Sequence, residues 1–159
     1  MPKKKFDPTH HNYGLEGERF AFCWLTKLGY VVEAKGDQYG PDLHIHHPQW
    51  GLTPVEIERR YDRSWKSGMF PYDTYNLPER RFQKALSSLL IVLPANMDRA
   101  LLVYPSSVHR ASESGLWVVK DSVHVKGERI LDIPVEFCRD VSTNEKGVTI
   151  EPQAQASEA

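Results

Sequence analysis

Apolar residues recur at helical spacing in GLEGERFAFCWLTKLGY, Gly14 to Tyr30, where Leu15, Phe22 and Leu25 form one stripe. This predicts a helix that faces a core, and Gly29 falls where a left-handed cap would close it. Tyr30 to Lys35 then reads as a short strand. DLHIHH and TPVEIER each alternate polar with apolar residues around the turn PQWG, so Asp42 to Arg59 reads as a β-hairpin. A long aromatic-rich loop, YDRSWKSGMFPYDTY, leads into NLPERRFQKALSSLL. There Asn76 is placed to cap a second helix, Pro78 to enter its first turn, and Leu86, Leu89 and Leu90 to extend its apolar face. RALLVY, LWVVK and ILDIPVEF supply later strands. No repeat interrupts this order, which predicts a single α/β domain with a mixed sheet and further strands toward the C-terminus.

Composition narrows the class. The chain has 159 residues, of which 40% are hydrophobic, enough for one domain with a real core. No apolar run is long enough to cross a bilayer, and the basic start MPKKKFDPTHHNYG precedes no apolar segment, so a cytoplasmic protein is expected. The expected layout is a polar basic leader over 1–12, the domain over 13–140, and a polar, largely disordered tail over 141–159. Cys23 and Cys138 lie far apart and have no C-x-x-C partner, which argues for buried thiols over a disulfide framework or a cysteine-built zinc site.

Charge matters through its distribution. The net charge is -1, yet Glu58 to Lys84 carries seven basic residues against four acids, a local +3.

The candidate chemistry lies in the hairpin. Successive strand residues face opposite ways, so Glu56 and Glu58 share one face while Val55 and Ile57 take the other. Asp42 opposes Leu43 and Ile45, and an antiparallel pairing brings it level with the Glu56 to Glu58 region. For Asp42 to share their face, the numbers of directly paired residues must sum to an even value, as in Asp42 with Glu58 and His44 with Glu56. Three acids on one face repel one another unless a hard divalent cation gathers them or arginines pair with them from solvent. Glu18 falls on the apolar stripe of the first helix, where a charge needs a partner. Glu16 lies off that stripe.

Gly17-Glu18-Arg19 on a first helix, Gly29-Tyr30 leading into a strand, Pro41-Asp42, and Glu56-Ile57-Glu58 together resemble the PD-(D/E)XK nuclease superfamily, most of all its Holliday-junction-resolvase-like branch. The resemblance spans Tyr13 to Arg60 by motif and reaches Tyr104 by element order. It implies an αβββαβ restriction-endonuclease-like core and a metal-dependent DNA endonuclease acting on phosphodiester bonds, with branched or otherwise irregular DNA as a candidate substrate. It also implies Mg2+ or Mn2+ as cofactor and DNA as partner, with no membrane, and allows a homodimer. Asp42 and Glu56 would be the metal-binding acids, the carbonyl of Ile57 a further ligand, and Glu18 the helix acid that supports the metal or its water.

Glu58 departs from the pattern, because the superfamily usually has lysine there. Some restriction endonucleases of the superfamily carry glutamate at that place. Glu58 is therefore a candidate second metal ligand or proton acceptor, and Arg60, on the same face, is the first candidate for the missing cation. Arg59 should point away; Lys84 and Lys35 are further candidates whose places relative to the hairpin the sequence does not fix. The alternative is a catalytically lapsed nuclease fold that binds nucleic acid or serves assembly. A third reading makes the hairpin acids plain surface charge.

His44 and His46 share the Asp42 face, and with His47 they raise a zinc reading. Their spacing matches no structural zinc motif, so surface histidines are the expectation, with His44, nearest Asp42, within reach of a substrate phosphate. His10 and His11 belong to the polar leader. Arg60, Arg63, Lys66, Arg80, Arg81 and Lys84 are the candidate phosphate contacts, Arg80 and Arg81 at a helix start where backbone amides favour an anion. The interleaved Tyr61, Trp65, Phe70, Tyr72 and Tyr75 suit either base stacking or a packed loop.

Overall fold

A computed structural model describes residues 8–34, 41–121 and 126–150. Lys35, the first seven residues of the leader and the tail beyond Ile150 lie outside the described residues.

Helix α1 spans Pro8–Lys27, starting inside the expected leader. Gly29 closes it at φ 101°, with its N–H donating to the Thr26 carbonyl and that of Tyr30 to Leu25. This is the left-handed exit that a side chain would strain. Strands β1 (Val31–Ala34), β2 (Leu43–His47) and β3 (Gly51–Arg59) follow as an antiparallel meander. The hairpin pairs Leu43 with Val55 and His44 with Pro54. The sum is even, as a shared face requires, but the pairing is shifted two residues from Asp42 opposite Glu58.

The second helix is much shorter than the sequence suggests. Thr74–Pro78 is strand β4, Glu79–Arg81 a single 3-10 turn, and α2 only Phe82–Ala85. Asn76 and Pro78 are therefore strand residues, and Leu89 and Leu90 belong to β5, Leu89–Leu93. LLIVL is buried on both faces, a pattern that periodicity alone does not separate from a helix; central pairing in the sheet decides it. Then come β6 (Arg99–Val103), α3 (Pro105–Glu113), β7 (Trp117–Lys120), β8 (Glu128–Pro134) and β9 (Arg139–Ser142).

The architecture is mixed α/β. Six strands form one sheet in the order β1-β2-β3-β5-β6-β9, with β3 and β5 parallel and the rest antiparallel, and β4-β8-β7 form a second, antiparallel sheet. The parallel β3 to β5 crossover runs through β4 and α2, which places both over the face that carries Glu56 and Glu58. The large sheet separates two cores. On one face Ala21, Trp24 and Leu25 of α1 pack with Leu43, Ile45, Val55 and Ile91; on the other Trp65, Tyr75 and Leu77 pack with Leu90, Val92 and Leu131. Val141, Val148 and Ile150 join the first core, so the packed chain runs past the boundary drawn at Asp140. Their apolar side chains recur among polar neighbours whose composition masks them.

Candidate active site

The carboxylates meet where β2 gives out. Pairing between β2 and β3 begins at Leu43 and Val55, and beyond it β3 continues with no strand on that side. Asp42 fills the gap: the Ile57 N–H donates to its Oδ2 at 2.7 Å. In an extended chain the N–H and C=O of a residue leave on the same edge, so the Ile57 carbonyl is directed toward Asp42 as well.

Helix α1 reaches this gap from the other face. Gly17 is buried against β3, and a Cβ on it would stand 3.1 Å from the Arg59 Cβ, so glycine permits the close approach. The next residue, Glu18, stands close enough to Asp42 and Glu56 to feel the charge of both, and Glu56 in turn feels that of Asp42. Burial, the Asp42 charge and then Glu56 push the Glu18 carboxyl up to about 7. Burial also raises Glu56, opposed chiefly by Lys84. The ammonium of Lys84, on α2, stands 2.8 Å from Glu56 Oε1, with the Glu56 side chain 17% exposed and that of Lys84 50%.

Glu58 has different partners. The buried Tyr75 hydroxyl donates to its Oε2, and Arg60 Nε and Arg81 NH1 stand 3.9 and 3.8 Å from its Oε1. Burial and the Glu58 charge raise the Tyr75 phenol well above its ordinary range. Arg60 is thus the cation of Glu58, not of Glu56. Four residues along a strand carry it about 13 Å from Glu56, and its guanidinium lies 5.2 Å from the Tyr75 ring centre. The cation that stands beside Glu56 is Lys84, which helix α2 brings across from the crossover.

Arg59 points away, as expected, and becomes a clamp. It donates to the carbonyls of Ala95 and Tyr13 and to Glu16, and lies 3.7 Å over the Tyr13 ring. Sequence reasoning missed this role, because Glu16 and Ala95 are far from Arg59 along the chain.

Arg80, Arg81 and Lys84 line a cleft of about 310 Å3 together with Glu56 and Leu90. Arg80 is paired with Glu128, and the four-residue α2 offers no extended amide end for an anion, so the helix-start argument for Arg80 and Arg81 does not hold. Arg63 and Lys66 are exposed and lie apart from these acids, in a second cleft beside Tyr61.

The histidines divide. His46 is exposed and stands 3.1 Å from Glu33, whereas His44 Nδ1 is buried with no hydrogen-bond partner among the described residues. His47 is buried, contrary to the surface expectation, stacked on Trp50 at 4.2 Å with Nε2 meeting the Ile150 carbonyl. Among the described residues no three histidine, cysteine or acidic side chains form a ready-made metal cage. Trp65, Phe70 and Tyr75 are core, which settles most of the aromatic loop as packing. No helix among the described residues is long and apolar enough to cross a membrane.

The donor chemistry at the gap is that of a hard divalent cation, although the three acids do not close into a cage. Glu18, Asp42 and Glu56 offer only oxygen atoms and are partly buried, and burial together with the Asp42 charge raises Glu18 and Glu56. Mg2+ is bound in just this way, by one or two carboxylates with water and phosphate completing its shell.

No protein-family model and no curated protein matches the chain. Among solved structures it is similar to a bacterial homing endonuclease, I-Ssp6803I, at 19% sequence identity and a TM-score of 0.39. The alignment covers 57% of this chain and 61% of that one.

Proposed function

We propose that the chain is a metal-dependent endonuclease that hydrolyses phosphodiester bonds in DNA. The observation that carries this reading is the Glu18, Asp42 and Glu56 cluster with Lys84 against it. Asp42, Glu56 and the Ile57 carbonyl are the groups that would hold Mg2+ or Mn2+. Bound there, such an ion lowers the pKa of a coordinated water and screens negative charge on a phosphate.

The chain's own groups divide the remaining work. Lys84 supplies a positive charge beside Glu56, where it can orient a water and meet a phosphate oxygen, the task that a strand lysine has in the resembled superfamily. Glu18, whose carboxyl is raised by burial and by the Asp42 charge, is the helix acid that would support the metal or its water. Glu58 anchors Arg60 and Arg81, and Arg81 and Lys84 give the adjoining cleft the sign that a DNA backbone requires.

The test incubates purified protein with supercoiled, linear and branched DNA, with and without Mg2+ or Mn2+. Nicking that a chelator abolishes, and that Asp42→Asn and Glu56→Gln both lose, supports the reading. DNA binding by the wild type with no cutting in either metal overturns it in favour of a lapsed binding module.

A further inference from the structure

A second cleft, of about 280 Å3, lies at the end of β3, lined by Tyr13, Tyr61, Asp62, Arg63, Lys66 and Ala95. Tyr61 follows directly on Arg60 and is 79% exposed, the most exposed large apolar side chain among the described residues. Its ring meets the edge of Tyr13 at 5.4 Å, with the planes 72° apart. Tyr13 is itself fixed, its hydroxyl donating to the Arg60 carbonyl at 2.7 Å and its face covered by Arg59. The cleft therefore has one firm aromatic wall and one presented to solvent.

Apart from Ala95 the rest of the lining is polar. Asp62 accepts the Ser64 N–H and the Tyr72 hydroxyl, so its oxygens are occupied by the loop itself. Arg63 and Lys66 are exposed and outnumber that single acid. The loop that carries them is pinned. The Asn96 N–H donates to the Lys66 carbonyl, the Gly68 N–H to Asp98, and the Trp65 indole to the Gly68 carbonyl. A preformed wall loses little freedom on binding.

We infer that this cleft holds an unpaired nucleotide of DNA, its base against Tyr61 and its phosphate between Arg63 and Lys66. An aromatic face flanked by cations is the chemistry of single-strand recognition, in which a base stacks and the backbone is neutralised. A paired base keeps its faces stacked on its neighbours, so only an unpaired one can use this wall. The volume, at the lower end of small-ligand clefts of about 300 Å3, suits one nucleotide unit and not a duplex. Tyr61 is five residues beyond Glu56, no more than about 18 Å along the chain. Resting on the nuclease reading, the inference makes the substrate a DNA with unpaired nucleotides a short distance from the cut.

The test is binding, in chelator, so that cleavage plays no part. Fluorescence anisotropy compares a labelled deoxythymidine oligomer with a blunt duplex of the same length. Tyr61→Ala should weaken the oligomer about tenfold and leave the duplex unchanged, Tyr61→Trp should retain oligomer binding, and Arg63→Ala with Lys66→Ala should flatten its salt dependence. An equal loss on both DNAs, or no loss on the oligomer, overturns the inference. A protein that binds the oligomer through Tyr61 but cuts nothing retires the nuclease reading alone; one that cuts yet ignores Tyr61→Ala retires this one alone.

Discussion

Lys84 of helix α2 and Glu56 of strand β3 face each other at 2.8 Å, so the crossover and not the strand supplies the cation beside Glu56. If this lysine orients the attacking water, Lys84→Gln should lower cleavage about 10²-fold or more while leaving the fold intact, because its side chain is half exposed. Single-turnover rates at saturating Mg2+ are the measurement. Cleavage within threefold of wild type would remove Lys84 from the reaction.

The Glu18 pKa gives a stability prediction for the metal-free protein. A carboxyl raised from 4.5 to about 7 keeps its proton on folding, so the folded state loses stability as pH rises between those values. Glu18→Gln removes that penalty. In chelator the variant should melt like wild type near pH 4 and several degrees higher at pH 8, a gain of about 1 kcal/mol once partial exposure is discounted. A constant difference across the pH range would show that Glu18 does not carry the raised proton.

How far the sequence reveals this site depends on how local each signal is. Helix α1, its Gly29 cap and the hairpin face shared by Asp42 and Glu56 follow from periodicity and turn chemistry within a few residues. The extent of α2 does not, because Leu89 and Leu90 are decided by the neighbours of β5 in the sheet, which no nearby residue encodes. The same distance hides the long-range contacts. Arg80 pairs with Glu128, and Arg59 donates to the Ala95 carbonyl, only once distant strands have paired. Strand alternation points to Arg60 as the cation, and the crossover that delivers Lys84 is a tertiary fact.

The two thiols should differ sharply in reactivity. Cys23 is exposed on α1, whereas burial pushes the Cys138 thiol up to about 12, leaving almost no thiolate at neutral pH. A colorimetric thiol reagent at pH 7.5 should titrate one equivalent quickly from the native protein and the second only on denaturation. Two fast equivalents would place Cys138 in contact with solvent.

Glu58→Lys, which restores the lysine usual in the resembled superfamily, should damage the fold before it bears on the chemistry. Glu58 accepts the hydroxyl of a fully buried tyrosine, Tyr75, and stands between Arg60 and Arg81. A lysine there removes that acceptor and adds a third cation to the two arginines. Losing the acceptor of a buried hydroxyl costs about 1–3 kcal/mol, and the like charges add to it. A destabilisation of about 3 kcal/mol in urea unfolding is expected, with cleavage falling in proportion to the folded fraction. Glu58→Gln keeps an acceptor for Tyr75 and should cost about 1 kcal/mol, leaving cleavage near wild type because Glu56 retains Lys84. If Glu58→Gln is instead fully folded and inactive, Glu58 belongs with Asp42 and Glu56 in the chemistry. If Glu58→Lys unfolds at the wild-type urea midpoint, the anchoring role assigned to Glu58 is wrong.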